Sequence, residues 1–208
     1  RLGNADVKPI LVTGFEPFGG EQVNPSAEVA RALHGRTIDD ARVVGIVLPC
    51  VFGTSIDTLR SAIDAHRPQL VLALGQAAGR DGFTLERVAI NLDDARIADN
   101  AGAQPIDAPV VARGPAAHFT TLPIKAMVAA LRDAGHSASV SYSAGTFVCN
   151  HVFYALQHAA KRRRSVKSGF MHLPCLPEQA AKGTPSLPLA MMVEGVALAP
   201  ATALAESC

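Results

Sequence analysis

The sequence predicts an α/β protein: three α/β/α layers, with a mostly parallel twisted sheet and helices on both of its faces. Three observations predict it. Short apolar runs alternate with segments of helical spacing, the order of a parallel sheet with right-handed crossovers. The run Gln69–Leu74 is continuously hydrophobic, as a strand covered on both faces is. The 208 residues are 49% hydrophobic and 18% charged, enough for one large core and a single domain over 1–208.

In chain order, Pro9–Thr13 reads as a buried strand ending in the loop Gly14–Gly20. Asn24-Pro25-Ser26 opens a helix to about His34, with proline where a first-turn N–H is dispensable. Arg42–Leu48 is a strand, and Phe52–His66, with Ile56, Leu59 and Ile63 in register, is a helix. After the strand Gln69–Leu74 the pattern loosens from Gln76 to Pro123, with one alternating piece, Glu86–Asn91. So long a loose region inside a domain is usually functional or an interface. The spacing then gives a helix over Pro123–Ala134, a strand over Ala138–Tyr142 and a helix from Phe147 to about Arg163. The strand Ser168–His172 and a last helix, about Pro188–Ala205, follow. Ligands of such folds bind beyond the carboxyl ends of the strands. The segments Gly14–Gly20, Pro49–Phe52, Gly75–Arg80, Ser143–Cys149 and His172–Cys175 are therefore expected to converge on one cleft.

The net charge of +1 gives no global reason to bind nucleic acid or an anionic membrane. The run Lys161–Arg164 reads as a solvated helix end. No apolar run reaches the ~20 residues that span a bilayer, and the start lacks a signal-like apolar segment, so a cytoplasmic protein is expected. Cys50, Cys149, Cys175 and Cys208 are widely spread and read as free thiols. The glycine-rich first loop has neither a GK[ST] ending nor G-x-G-x-x-G spacing. Its Phe15 and Phe18 suit the wall of a pocket for a flat, weakly polar group, or equally the core.

Cys149 is the candidate nucleophile. It falls in the first turn of a helix, where unpaired N–H groups and the helix dipole favour a thiolate. His172 ends a strand at the same expected edge and is the candidate base. His151, two residues from Cys149, points to another side of the helix and reads as structural; His158 lies two turns on. His34, His66, His118 and His136 fall at helix ends or in loops. A Cys–His pair needs a third group to orient the imidazole, and Glu86, Asp93, Asp94 and Asp99 all qualify on position.

Taken together, Val12–Gly20 with Asn24–Ser26, Gly75-Gln76 to Gly79-Arg80, Glu86–Asn91 and Asp94–Ile97 resemble the pyroglutamyl peptidase type I family. So do Asp99–Gly102, Gly114–Ala117, Leu122–Lys125, Ala144–His151 and Gly169–His172 with Pro177–Gln179. The family, also called pyrrolidone carboxyl peptidase, comprises cysteine peptidases, and the match covers nearly the whole chain. The resemblance implies hydrolysis of the amide bond after an N-terminal pyroglutamyl residue through a thioester. It implies Cys149 as nucleophile, His172 as general base and acid, and Glu86 as the orienting carboxylate. It further implies a pocket in which Phe15, Phe18, Phe147 and Val148 enclose the ring and the Gln76 backbone bonds the lactam, with Ile97 as a further substrate-binding residue and Arg96 matching an arginine near the catalytic cysteine that helps the oxyanion site. No metal or organic cofactor is implied. The implied partners are pyroglutamyl peptides and further copies of the chain in a homotetramer. Leu85 and Ala98 stand where the family often has proline, and Cys50 where it has threonine. A module that holds a lactam without cleaving it is the alternative from another class.

Overall fold

The computed structural model describes residues 7–161 and 166–206. Arg162–Arg164 and Cys208 lie outside the described residues, as does the start of the chain through Asp6.

The central sheet contains β1 (Ile10–Phe15), β2 (Thr37–Ile38), β3 (Ala41–Leu48), β4 (Leu70–Gln76), β5 (Phe83–Glu86), β8 (Ala138–Ser141) and β9 (Lys167–Leu173). Its order is β2-β3-β1-β4-β9-β5-β8. β3, β1, β4 and β9 run parallel to one another. β6 (Val88–Ile90) and β7 (Ala117–Phe119) form a separate antiparallel ribbon. The helices are α1 (Pro25–Leu33), α2 (Thr54–His66), α3 (Ile124–Asp133), α4 (Val148–Ala160) and α5 (Leu189–Ala205).

Side-chain alternation along the strands builds the two outer layers. Ile10, Val12, Leu70, Leu72, Leu74, Met171 and Leu173 face α1, α3 and α5. Leu11, Phe15, Val71, Ala73 and Phe170 face α2 and α4. Leu70–Leu74 is buried throughout because both faces are covered. Each large apolar side chain so enclosed contributes about 1.5–3 kcal/mol. The three-layer, mostly parallel expectation therefore holds. No described helix is long and apolar enough to cross a membrane.

One reading is refined and one expectation is corrected. The alternating piece Glu86–Asn91 divides between two sheets: Glu86 ends β5 in the central sheet, while Val88–Ile90 pairs with β7. Phe83 to Glu86 are all buried, whereas Val88 to Ile90 alternate. In addition, β5 pairs antiparallel with β9 and parallel with β8. The carboxyl end of β8 thus points away from those of β4 and β9, and residues 142–147 must carry the chain back to start α4. Hydrogen bonding across the sheet, set by tertiary pairing, decides these directions.

Candidate active site

The Asn24-Pro25-Ser26 motif fixes the first loop. Asn24 Oδ1 accepts from Ser26 N at 3.0 Å and from Ser26 Oγ at 2.7 Å, capping α1, and Ser26 Oγ accepts from Phe15 N at 2.9 Å. The exit of β1 is thereby tied to the start of α1. Glu16 extends the tie, since its Oε1 accepts from Cys50 N at 3.0 Å and Asn100 Nδ2 at 2.9 Å. Asp99 Oδ2 accepts from Phe52 N at 2.8 Å. The long region between β6 and β7 therefore acts as a strap whose Asp and Asn side chains satisfy loop backbone, an alternative to regular ladders.

His151 completes the strap. Its Nδ1 lies 2.7 Å from Asp93 Oδ2, and its Nε2 accepts from Gly53 N at 2.9 Å. An Nε2 that accepts a hydrogen bond carries no proton, so Nδ1–H donates to Asp93. The structural reading of His151 holds, and Asp93 belongs to this pair rather than to His172.

The site itself follows from strand register. Thr84 lies opposite His172, so Glu86, two residues on, projects from the same face. Glu86 Oε1 lies 2.8 Å from His172 Nδ1, with the carboxylate fully buried. Gly75 lies opposite His172 on β4. A β-carbon on Gly75 would stand 2.8 Å from Cys149 Sγ, so the sulfur rests over the end of β4 next to the strand bearing His172. The α4 N-cap is Phe147, with no side-chain cap. Among the described residues nothing accepts from the Val148 or Cys149 N–H.

The electrostatics differ from the simple helix-end expectation. Burial pushes the Cys149 thiol up, the charges of Cys50 and Glu86 add to this, and Arg80 opposes it. The helix end favours the anion, but loss of water costs more. Cys50 is raised to about 12, by burial first and then by Glu16 and Asp99. His172 is lowered by burial and by Arg80, against the pull of Glu86. Burial pushes Glu86 up, yet His172, Ser141 and Arg80 together hold it low. A neutral imidazole donating Nδ1–H to an ionised Glu86 leaves Nε2 as a base, beside a neutral thiol.

The aromatic residues divide. Phe18 and Phe147 are half-buried, 5.7 Å apart between ring centroids, and Phe52 meets Phe147 edge-on at 5.5 Å. Phe15 is buried and packs on Phe170 at 6.5 Å. Val148 is buried. Gln76 ends β4, its Nε2 donating to Cys175 Sγ at 3.4 Å. Arg96 is exposed with no hydrogen bond or ion pair among the described residues. Ile97 covers the Gly19 turn, its Cδ1 3.7 Å from where a Gly19 β-carbon would stand. Sequence reasoning gave no role to Phe52 or Arg80. Phe52 is legible as a helix start and the end of the Pro49–Phe52 segment, and Arg80 as a member of a strand-end segment and of one resemblance motif, neither with a role.

The family model of pyroglutamyl peptidase matches residues 8–206. The chain belongs to the pyroglutamyl peptidase family. A pyrrolidone-carboxylate peptidase of Cupriavidus taiwanensis is 59% identical over 94% of this chain and 92% of its own. The pyrrolidone-carboxylate peptidase of Escherichia fergusonii is 60% identical over 87% of this chain and 86% of its own. Among solved structures, pyroglutamyl peptidase I from Bacillus amyloliquefaciens superposes with a TM-score of 0.92 at 46% identity, covering 94% of each chain. A mutant pyrrolidone carboxyl peptidase from the hyperthermophile Pyrococcus furiosus gives 0.93 at 41% identity, over 96% of this chain and 100% of that one. The two solved structures share the overall fold of this chain.

Proposed function

We propose that the chain is a cysteine peptidase that removes an N-terminal pyroglutamyl residue, with Cys149, His172 and Glu86 as its catalytic residues. The observation that carries the reading is the 2.8 Å Glu86–His172 contact beside the half-buried thiol of Cys149. In the first step Cys149 Sγ attacks the pyroglutamyl carbonyl as its proton passes to His172 Nε2. The Val148 and Cys149 N–H groups are open to receive the oxyanion. The imidazolium protonates the leaving amine, the C–N bond breaks, and a thioester remains. Water then gives a proton to His172 and attacks the thioester; collapse releases pyroglutamate and returns the proton to sulfur.

The substrate ring is flat and neutral, which suits the Phe18, Phe52, Phe147 and Val148 surfaces with Phe15 beneath and the Gln76 backbone at the edge. An ordinary peptide start carries an ammonium that would lose its water there without gaining a partner. The exposed Arg96 is assigned to the oxyanion side near Cys149 and the exposed Ile97 to substrate binding, both by resemblance. By resemblance the assembly is a homotetramer; the cytoplasmic location and the single domain over 1–208 are carried from the sequence reading. Light scattering tests the assembly, and a monomer or dimer would refute it.

The function is tested by release of a fluorescent amine from pyroglutamyl, prolyl and glutamyl amides, with and without thiol alkylation. Pyroglutamyl-selective release that alkylation stops is the expected result. Equal release from the prolyl amide, or none from folded, reduced protein, refutes the proposal.

A further inference from the structure

We propose that Arg80 is a positioning residue for this reaction, a fork that holds the Glu86–His172 pair and the segment leading to Cys149 at a fixed separation. The inference rests on the roles assigned above to Cys149, His172 and Glu86. Arg80 Nη1 donates to Thr84 Oγ1 at 2.5 Å and to Glu86 Oε1 at 2.7 Å. Its Nη2 donates to the Ser143 carbonyl at 3.1 Å. Glu86 Oε1 is the same oxygen that faces His172 Nδ1. One oxygen is thus held from β9 by the imidazole and from the β4–β5 connection by the guanidinium.

The second arm matters because of the chain's path. Residues 142–147 bring α4 back from the antiparallel strand β8, and no regular ladder supports them. The far end is held where Asp94 N donates to the Thr146 carbonyl at 3.0 Å and Thr146 Oγ1 donates to the Asp94 carbonyl at 2.7 Å. At the near end, Arg80 connects the Ser143 carbonyl directly to the carboxylate that orients the base. The planar fork of arginine reaches both acceptors at once, which a lysine ammonium does not reproduce.

A tie for a surface loop would have no need of a buried carboxylate. The Arg80 side chain is 27% exposed and that of Glu86 is 0% exposed, so the cation reaches inward. The charged and titratable groups facing His172 are Glu86 from β5, Arg80 from the β4–β5 connection and Cys149 from α4, with Cys50 behind Cys149. Arg80 is the cation of this set. With it, the Glu86 charge is shared and the imidazole stays neutral; without it, Glu86 stabilises the imidazolium more strongly.

The test measures kcat, KM and the acid limb of kcat/KM with a pyroglutamyl fluorogenic amide for the parent, Arg80→Lys and Arg80→Gln. In Arg80→Lys, kcat is expected to fall about tenfold or more with KM within about twofold and the acid limb in place, since small misplacements of reacting groups are costly. In Arg80→Gln, kcat falls and the acid limb moves to higher pH. Circular dichroism reports folding, and if Arg80→Gln does not fold, Arg80→Lys decides alone. Parent-like kcat in Arg80→Lys, a raised KM with kcat kept, or a folded Arg80→Gln with an unmoved limb each overturns the inference. An inactive parent overturns the proposed function with it; an active parent indifferent to Arg80 overturns only this inference.

Discussion

Gly75 and Cys149 stand so close that a β-carbon on Gly75 would lie 2.8 Å from the Cys149 sulfur and 2.9 Å from the Phe170 ring. The glycine is needed for space, because the thiol occupies the volume a side chain would fill. Gly75→Ala is expected to cost about 1–3 kcal/mol through overpacking and to lower kcat about 100-fold by displacing the nucleophile. Calorimetry and steady-state kinetics check both. Parent-like kcat would show that the thiol does not work from this position.

Activity should depend on pH through a neutral His172. Its folded value lies below the ordinary 6.5, chiefly through burial, so the acid limb of kcat/KM is expected under pH 6.5. The Cys149 thiol is raised from its ordinary 9.0, so no second limb is expected near that pH. A profile measured from about pH 4 to about pH 10, roughly the range over which such groups titrate, checks this. A limb above neutrality would contradict the neutral pair.

Glu86 links the site to acid stability. Burial raises its carboxyl, but His172, Ser141 and Arg80 outweigh that and hold it below the ordinary 4.5. The unfolded chain therefore takes up the proton first as pH falls. Its contribution is complete above about 4.5 and is lost as pH drops through the lower folded value. Glu86→Gln, which leaves the Arg80 cation without its carboxylate, is expected to cost about 2–3 kcal/mol near neutrality, as for hydrogen bonds to a charged group, and to flatten the pH dependence below 4.5. Urea unfolding at several pH values measures it; an unchanged acid slope would count against Glu86 as the source.

His151→Ala removes the acceptor of Gly53 N and the partner of Asp93. A loss of about 2–3 kcal/mol is expected, as for hydrogen bonds involving a charged group. KM should rise more than kcat falls, because Phe52 touches both His151 and Phe147. Abolished turnover at saturating substrate would instead point to a chemical role for His151.

Phe147→Ala removes the ring that Phe18 and Phe52 both touch. A KM increase of roughly tenfold is expected, about the worth of one lost aromatic surface, with kcat changed less. Kinetics with the pyroglutamyl amide checks it, and an unchanged KM would remove Phe147 from the pocket.

By itself the sequence determined the layers, most helices and the residues proposed as reactive. Periodicity is a local property, and continuous burial of Leu70–Leu74 leaves its mark in composition. A thiol at the entry to α4 and a histidine near the end of β9 could be read the same way. Position along the chain left Glu86, Asp93, Asp94 and Asp99 equal and only the family resemblance pointed to Glu86; the tertiary structure supplies the physical reason, since register sets Thr84 opposite His172 and strap geometry gives Asp93 to His151. It also decided the reversed direction of β5 and β8, and with it the need for Arg80 to hold the returning segment. Those choices rest on contacts between residues far apart in the chain, such as Arg80 with Ser143 and Gly53 with His151, which no local pattern encodes.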